Sequence, residues 1–379
     1  MDDANSLKIS DFDYDLPQEL IAQTPIESRD ASQLLVVHRS TGTLVHRHFY
    51  DIGAYLRPGD LLIANQSRVL PARLLGHRAE TGGAVEVLLL AERPDLGSDY
   101  WETLVHPGRR LRKGGHIVFG NENDAGTILH AEILQRTEAG GRIVRFWVTD
   151  PHIATERPEE TTSSDTPGRA FASAVRQVIE RVGRMPLPPY IHEKLADPER
   201  YQTVYARING SAAAPTAGLH FTPRLLEQLR RQGVRVGFVT LHVGLDTFRP
   251  VEHEDVSEHK MHSEEIDLDA PTAELINETR RAGGRVVAIG TTSMRVLESV
   301  AGFHEGAIEP FHGRTRLFIT PGYRFRIVDA MITNFHLPRS TLLLLVSAFA
   351  GKTLIEKAYQ EAIREQYRFF SFGDAMLLL

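Results

Sequence analysis

Arg285-Val286-Val287-Ala288-Ile289-Gly290-Thr291-Thr292-Ser293-Met294-Arg295 is the stretch that decides the fold class. Arg285 to Ile289 reads as a strand, a glycine ends it, and a helix over Thr292 to Val300 follows at once. The same punctuation recurs on both sides. Upstream, Thr222 is a candidate N-cap with Pro223 at the first helical position, the helix runs to Arg231, Gly233 stops it, and Val234 to Leu241 is a strand. Between them lies a helix over Pro271 to Ala282, closed by Gly283-Gly284. Downstream, Arg324 to Met331 reads as a strand, and Ser340 to Phe349 and Lys352 to Arg364 as helices broken at Gly351. Near the start, Leu34 to Val37 and Leu61 to Ala64 are continuous apolar runs, the pattern of strands buried on both faces. Strands alternating with helices predict an α/β domain with a mixed, mostly parallel sheet.

Residues 65 to 150 break that rhythm. Arg73 to Gly76, Ala84 to Leu90, Tyr100 to Val105, His116 to Phe119, Thr127 to Leu134 and Gly141 to Val148 are strand candidates, punctuated by Gly82-Gly83, Gly114-Gly115 and Gly140-Gly141. No segment of helical period intervenes. The expectation is a six-stranded β-barrel inserted at 65–150 into a discontinuous α/β domain of residues 1–64 and 151–379. Pro151 to Gly168 reads as a polar linker, and Phe171 to Val182 as a helix with Ala172, Val175, Ile179 and Val182 on one stripe.

Composition removes several function classes. The 379 residues contain no cysteine, which excludes a thiolate nucleophile, an iron–sulfur cluster, a disulfide framework and a cysteine zinc site. Lys plus Arg is 43 against 49 for Asp plus Glu, a net charge of -6, so any nucleic-acid contact is a local patch rather than a basic coat. Met1 to Asn5 lacks the basic and apolar regions of a signal peptide, and the longest apolar run, Thr341 to Ala350, falls short of the about 20 residues of a membrane span. A soluble cytoplasmic protein is expected.

Candidate chemistry gathers where strands end. Gly290 lets backbone approach a ligand, the free amides of a helix start suit an anion, and Thr291, Thr292, Ser293 and Arg295 supply hydroxyls and a guanidinium fork. A capped helix start that binds nothing is the alternative. The Gly-x-Gly-x-x-Gly dinucleotide spacing is absent. His220, beside the Thr222 cap, and His242, ending a strand, are candidates for proton transfer near neutral pH or else histidines bonded to backbone. His242, His253, His259 and His262 lack metal-ligand spacing, so no metal is expected. Glu264 is a candidate ribose or amine acceptor. Thr333-Asn334-Phe335-His336 carries the amide and aromatic groups that grip a heterocycle, or else is a well-bonded connector, and Asp329 upstream is a catalytic candidate, to orient a histidine or to take an amine proton. Arg68 is placed to hold a phosphate or carboxylate. Arg109, Arg110, Arg112 and Lys113, on the barrel, are candidate phosphate contacts, or a solvated hairpin.

Collected, these segments closely resemble the S-adenosylmethionine:tRNA ribosyltransferase-isomerase family of queuosine biosynthesis. The blocks are Tyr14 to Gln23, Arg29-Asp30, Asn65 to Arg73, Pro186 to Ile191, Tyr201 to Ala206, Ala214 to Thr222, Val239 to Gly244, Met261 to Glu264, Gly290 to Arg295, Pro321 to Tyr323, Thr333 to Leu337 and Tyr367 to Met376. Two positions depart from the family pattern: Gln33 stands where Arg is usual, and Asp246 where Gly is usual. The resemblance implies an α/β domain with an inserted barrel. It implies transfer and isomerisation of the ribosyl group of S-adenosylmethionine, as co-substrate, onto 7-aminomethyl-7-deazaguanine at the tRNA wobble position of a GUN anticodon. The products are adenine, methionine and epoxyqueuosine-tRNA. No prosthetic group, metal or membrane is implied, and a monomer is. The competing readings are an enzyme acting on an adenosine-like substrate without RNA, and an RNA-binding module without catalysis.

Overall fold

The structure, a computed structural model, describes residues 7–120, 128–137, 140–149, 167–244 and 253–379. The Pro151 to Gly168 linker, Thr127 and Asp246 lie outside the described residues, apart from the helical backbone at 167 and 168. Two compact units are present, residues 1–68 with 188–379, and residues 69–187.

The first unit carries β1 (Gln33–His38), β2 (Thr43–His48), β3 (Leu61–Asn65) and the short β4 (Ser67–Val69). The second is built of β5 (Arg73–Arg78), β6 (Ala84–Glu92), β7 (Tyr100–His106), β8 (His116–Phe119), β9 (Ile128–Arg136), β10 (Arg142–Thr149) and helix α1 (Pro167–Val182). The chain then supplies β11 (Ile208–Ser211), α2 (Pro223–Arg231), β12 (Arg235–Leu241), β13 (Glu264–Leu268), α3 (Ala270–Arg281), β14 (Val286–Ile289) and α4 (Gly290–Phe303). It ends with β15 (Phe311–Thr315), β16 (Ala330–Asn334), α5 (Thr341–Ala350), α6 (Lys352–Arg364) and β17 (Ala375–Leu378).

The main sheet has the order β15-β13-β12-β3-β14-β16-β17-β1-β2. Its centre, β12-β3-β14-β16, is parallel, and β13, β15, β17 and β2 bring in the antiparallel pairings. The α/β expectation is borne out, and so is the barrel: β10-β7-β6-β5-β8-β9 close on themselves, which leaves no free edge. Along each barrel strand buried residues alternate with outward ones, and Leu74, Val87, Trp101, Ile117, Leu129 and Phe146 fill the interior. Val175, Val178 and Ile179 of α1 join that core, so the second unit runs past residue 150, where the sequence placed the return to the α/β domain.

Arg324 to Met331 is not a strand; β16 begins only at Ala330. The fully buried Glu298 of α4 explains the shift. Its carboxylate accepts the amides of Arg326 (2.9 Å), Ile327 and Val328 (both 3.1 Å) and the Tyr323 hydroxyl (3.2 Å), so these donors need no strand partner. The sheet strands β2, β13, β15 and β17 were not read from sequence either. β2 is mostly exposed and β15 alternates weakly, whereas β17 is only four residues long.

At the amino ends of β3 and β14, buried Asp60 accepts from Arg285 Nε (3.2 Å) and Nη2 (2.6 Å) and from the Arg57 amide (2.8 Å). Burial alone would raise the Asp60 carboxyl, but these donors hold it below the usual carboxylate range. The stabilisation is therefore complete above the unfolded value of about 3.9 and is lost as pH falls through the lower folded value. Asp60→Asn is expected to lower stability at neutral pH and to flatten the acid limb below about pH 4, read from urea midpoints across pH.

Candidate functional site

Because β12, β3, β14 and β16 run parallel, their carboxyl ends share one edge of the sheet. Strand order reverses about β3, the topological position where open α/β sheets bind ligands. Asn65, ending β3, fixes this edge by donating to the Leu241 carbonyl (3.0 Å) and accepting the Leu241 and Ser67 amides. A cavity opens at the same edge. Its walls come from Gly290 to Thr292, from Thr333 to Leu337, from Ala214 to Ala217, and from Tyr190, Phe370 and Ser371. Gly290 joins β14 to α4 at φ +85°, a conformation that favours glycine and that brings the first amides of α4 to the cavity wall. Among the described residues, Thr292 Oγ1 and Ser293 Oγ have no hydrogen-bond partner.

Asn334, the last residue of β16, is the hub. Its side-chain amide nitrogen faces the Phe370 and Asp374 carbonyls (both 3.3 Å), and its oxygen accepts from Thr216 Oγ1 (2.9 Å). The two carbonyls fix which end is NH2. The same nitrogen lies 3.1 Å from His220 Nε2, which is thereby the acceptor; His220 Nδ1 carries the proton and donates to Ser32 Oγ (2.7 Å). His220 is fully buried, stacked on Phe49 at 4.9 Å, and lies behind Asn334 rather than on the cavity wall. Burial, with the nearby charge of Arg29, holds its pKa well below the ordinary histidine value. His336 does line the cavity; its Nε2 pairs with Thr333 Oγ1 (2.8 Å), its amide donates to Tyr359 Oη (2.9 Å), and burial pushes its pKa down to about 3.

The structure draws together Gly290, Thr291, Thr292, Thr333, Asn334, His336 and, through Asn334, His220, whereas Ser293 is fully buried and outside the lining. Phe335 borders the cavity, but its ring packs in the core against Tyr359, Tyr367 and Phe369 at 5.3, 5.7 and 4.8 Å, so no stacking face is free. The other candidates lie elsewhere. Asp329 is corrected most sharply: it is exposed, and it bonds Val286 at the opposite end of β14, roughly 10 Å away from the strand's carboxyl end. Arg295 and Glu264 form a buried ion pair that ties α4 to β13, with Arg295 Nε on the Leu317 carbonyl (3.1 Å). Burial would raise Glu264, but Arg295 and His262 outweigh it and hold its carboxyl low. Arg68 pairs with Glu199. His242 packs over Gly210, where an added Cβ would come within 2.6 Å of the ring; its neighbour Val243, not His242, lines the cavity. Among the described residues no cluster of metal-ligating side chains occurs.

Sequence reasoning gave no role to Tyr190, Thr216, Phe370 and Ser371, although Thr216 opens a stretch, Thr216 to Thr222, that it marked as a candidate site. Tyr190 Oη pairs with Ser371 Oγ (2.8 Å), and its ring meets Phe370 at 5.0 Å, which makes this the aromatic wall. Membership of three of the resemblance blocks was the one signal common to all four.

On the barrel, Arg109, Arg112 and Lys113 are exposed around a concavity shared with Arg136 and Arg142. Arg142 donates to the Gly108, Gly140 and Gly141 carbonyls, and Arg109, Arg112, Lys113 and Arg136 have no ion-pair partner among the described residues. The Arg110 side chain is outside the described set.

Residues 9–378 match the family described as Queuosine biosynthesis protein. The chain belongs to that family. Two relatives agree, both described as S-adenosylmethionine:tRNA ribosyltransferase-isomerase. The one from Symbiobacterium thermophilum is 55% identical over 98% of this chain and 100% of its own length. The one from Moorella thermoacetica is 53% identical with the same coverage. A crystal structure of the family, an S-adenosylmethionine tRNA ribosyltransferase from Thermotoga maritima, is 39% identical over 97% of this chain and all of that one, with a TM-score of 0.52. Of the two departures from the family pattern, Gln33 is harmless on its backbone contact: it holds Asp374 Oδ1 through its amide (2.8 Å), which any residue but proline supplies.

Proposed function

We infer that this chain is an S-adenosylmethionine:tRNA ribosyltransferase-isomerase. It transfers and isomerises the ribosyl group of S-adenosylmethionine, its co-substrate, onto 7-aminomethyl-7-deazaguanine in tRNA, and it needs no prosthetic group. The observation that carries this reading is family membership along nearly the whole chain, with a cavity at the sheet's switch point. We further propose that the target is the wobble base of a GUN anticodon, that adenine, methionine and epoxyqueuosine-tRNA are the products, and that the enzyme works as a cytoplasmic monomer. Among the described residues no helix is long and apolar enough to cross a membrane.

The cavity suits a sulfonium. Among the described residues, none in its lining carries a carboxylate, ammonium or guanidinium. The sulfonium charge makes the neighbouring ribose C5′ protons acidic and methionine a good leaving group. Tyr190 and Phe370 give the cation aromatic faces. Thr291, Thr292 and Thr333 offer hydroxyls to the ribose and the methionine part, and Asn334 is held rigidly enough to orient a base. His336 is the imidazole on the wall and takes the C5′ proton transiently. The proton it accepts passes to the departing adenine, which leaves as the neutral base. His220 acts through Asn334 as a positioning residue, and His242 supports the strand end beside the cavity.

Adenine release from S-adenosylmethionine, measured with and without precursor tRNA, tests the reading. Release only with precursor tRNA is the expected result. Release without RNA favours a small-molecule nucleoside enzyme, and tRNA binding without any release favours a binding module. For tRNA we propose Arg109, Arg110, Arg112 and Lys113 as phosphate contacts. Neutralising Arg109, Arg112 and Lys113 together is expected to weaken binding and to reduce the slope of log affinity against log salt by about 2. An unchanged slope removes them from the interface.

A further inference from the structure

The outer face of the barrel carries an aromatic cluster that the cavity chemistry does not use. Trp147 of β10 stacks on His130 of β9 (5.4 Å, 11°) and on His116 of β8 (5.1 Å, 23°). The two imidazoles meet at 5.2 Å, with His116 Nε2 3.1 Å from His130 Nδ1. Their neighbours along the strands, Ile117, Leu129, Ala131 and Phe146, point into the barrel core, so by strand alternation the three rings stand on the outside. All three are partly exposed, whereas the chain's other tryptophan, Trp101, is buried. Among the described residues one acid lies in register with the cluster: Glu132 faces both His116 and Arg145. Arg145 itself is paired with Asp99.

Cations without a carboxylate partner among the described residues lie on the same strands or just before them. Lys113 precedes His116 by three residues, Arg136 ends β9, and Arg142 begins β10, roughly 16 Å along the strand from Trp147. A flat, sequence-indifferent ring surface beside cations without acid partners matches single-stranded nucleic acid, whose bases stack while its phosphates take the charges. We propose that His116, His130 and Trp147 form a platform on which an unpaired base of the bound RNA stacks, with the backbone running toward Arg112, Lys113 and Arg136. The proposal rests on the reading of tRNA as substrate and adds a second RNA contact, on the barrel.

The test uses the full-length protein, an anticodon stem-loop RNA and a blunt RNA duplex. Trp147→Ala is expected to weaken stem-loop binding about 10-fold or more and to leave duplex binding unchanged, while Trp147→Phe retains most of the affinity. In a Trp101→Phe background, Trp147 fluorescence is quenched by the stem-loop and not by the duplex. Equal losses for both RNAs, or no loss and no quenching, overturn the platform. A changed sedimentation coefficient with unchanged RNA affinity overturns it too, and marks the face as a contact between copies of the chain. The two readings fail separately. Wild-type protein that modifies tRNA while Trp147→Ala binds normally refutes the platform alone. Quenching by the stem-loop without adenine release refutes the enzymatic reading alone.

Discussion

His336→Gln is expected to slow adenine release in a single turnover by about 10²- to 10⁴-fold and to leave S-adenosylmethionine binding nearly unchanged. Gln can keep a hydrogen bond to Thr333 but cannot accept a proton. The imidazole lines the cavity and is neutral in the folded protein, since burial pushes its pKa down to about 3. The active form is thus the unprotonated one, and the acid limb due to this group falls near pH 3. Between pH 7 and 5 the wild-type rate shows no loss from it. His220→Gln separates position from chemistry. It leaves Asn334 bonded to two carbonyls and Thr216, and the expected effect is about tenfold or less on the rate. Equal rates for His336→Gln and wild type would remove His336 from the reaction.

Glu298→Ala is expected to cost about 3–5 kcal/mol of stability, the largest effect for a residue outside the cavity. Three backbone amides and a tyrosine hydroxyl converge on this carboxylate inside α4. Alanine removes the acceptor and leaves the donors, those of buried Ile327 and Val328 above all, without a partner. Glu298→Gln keeps one acceptor oxygen but turns an NH2 toward the remaining donors, so about half the loss is expected. Urea denaturation measures both. A loss under about 1 kcal/mol for the alanine variant would mean that the loop finds other partners.

The fold was legible where local pattern and tertiary role coincide. The Arg285 to Arg295 stretch predicts β14, the glycine joint and α4, and the structure has them. The barrel strands were found because alternation and Gly-Gly punctuation are local signals. β13 and β15 were not, since each is five residues long and rich in polar side chains, and they pair only with each other and β12. For the site, the strand-end rule brought Gly290, Thr291 and Asn334 to one cavity. It could not tell a side chain facing the cavity from one bonded elsewhere: Arg295 and Glu264 have complementary charges that pair with each other once buried. Phe335 lies one residue beyond Asn334 and turns the other way into the core. Asp329 precedes its strand, so it lies at the wrong end of the sheet.

β17 sits between β16 and β1, and the Gln33 to Asp374 contact beside it spans 341 residues. As the chain leaves the ribosome, both neighbours emerge well before Ala375 does. Until then each exposes an apolar edge of Leu, Val or Ile with its amides and carbonyls unpaired. Nascent chains that stall between Asn334 and Ala375 therefore carry two sticky edges at once, and quality control meets them as an open sheet waiting for its keystone.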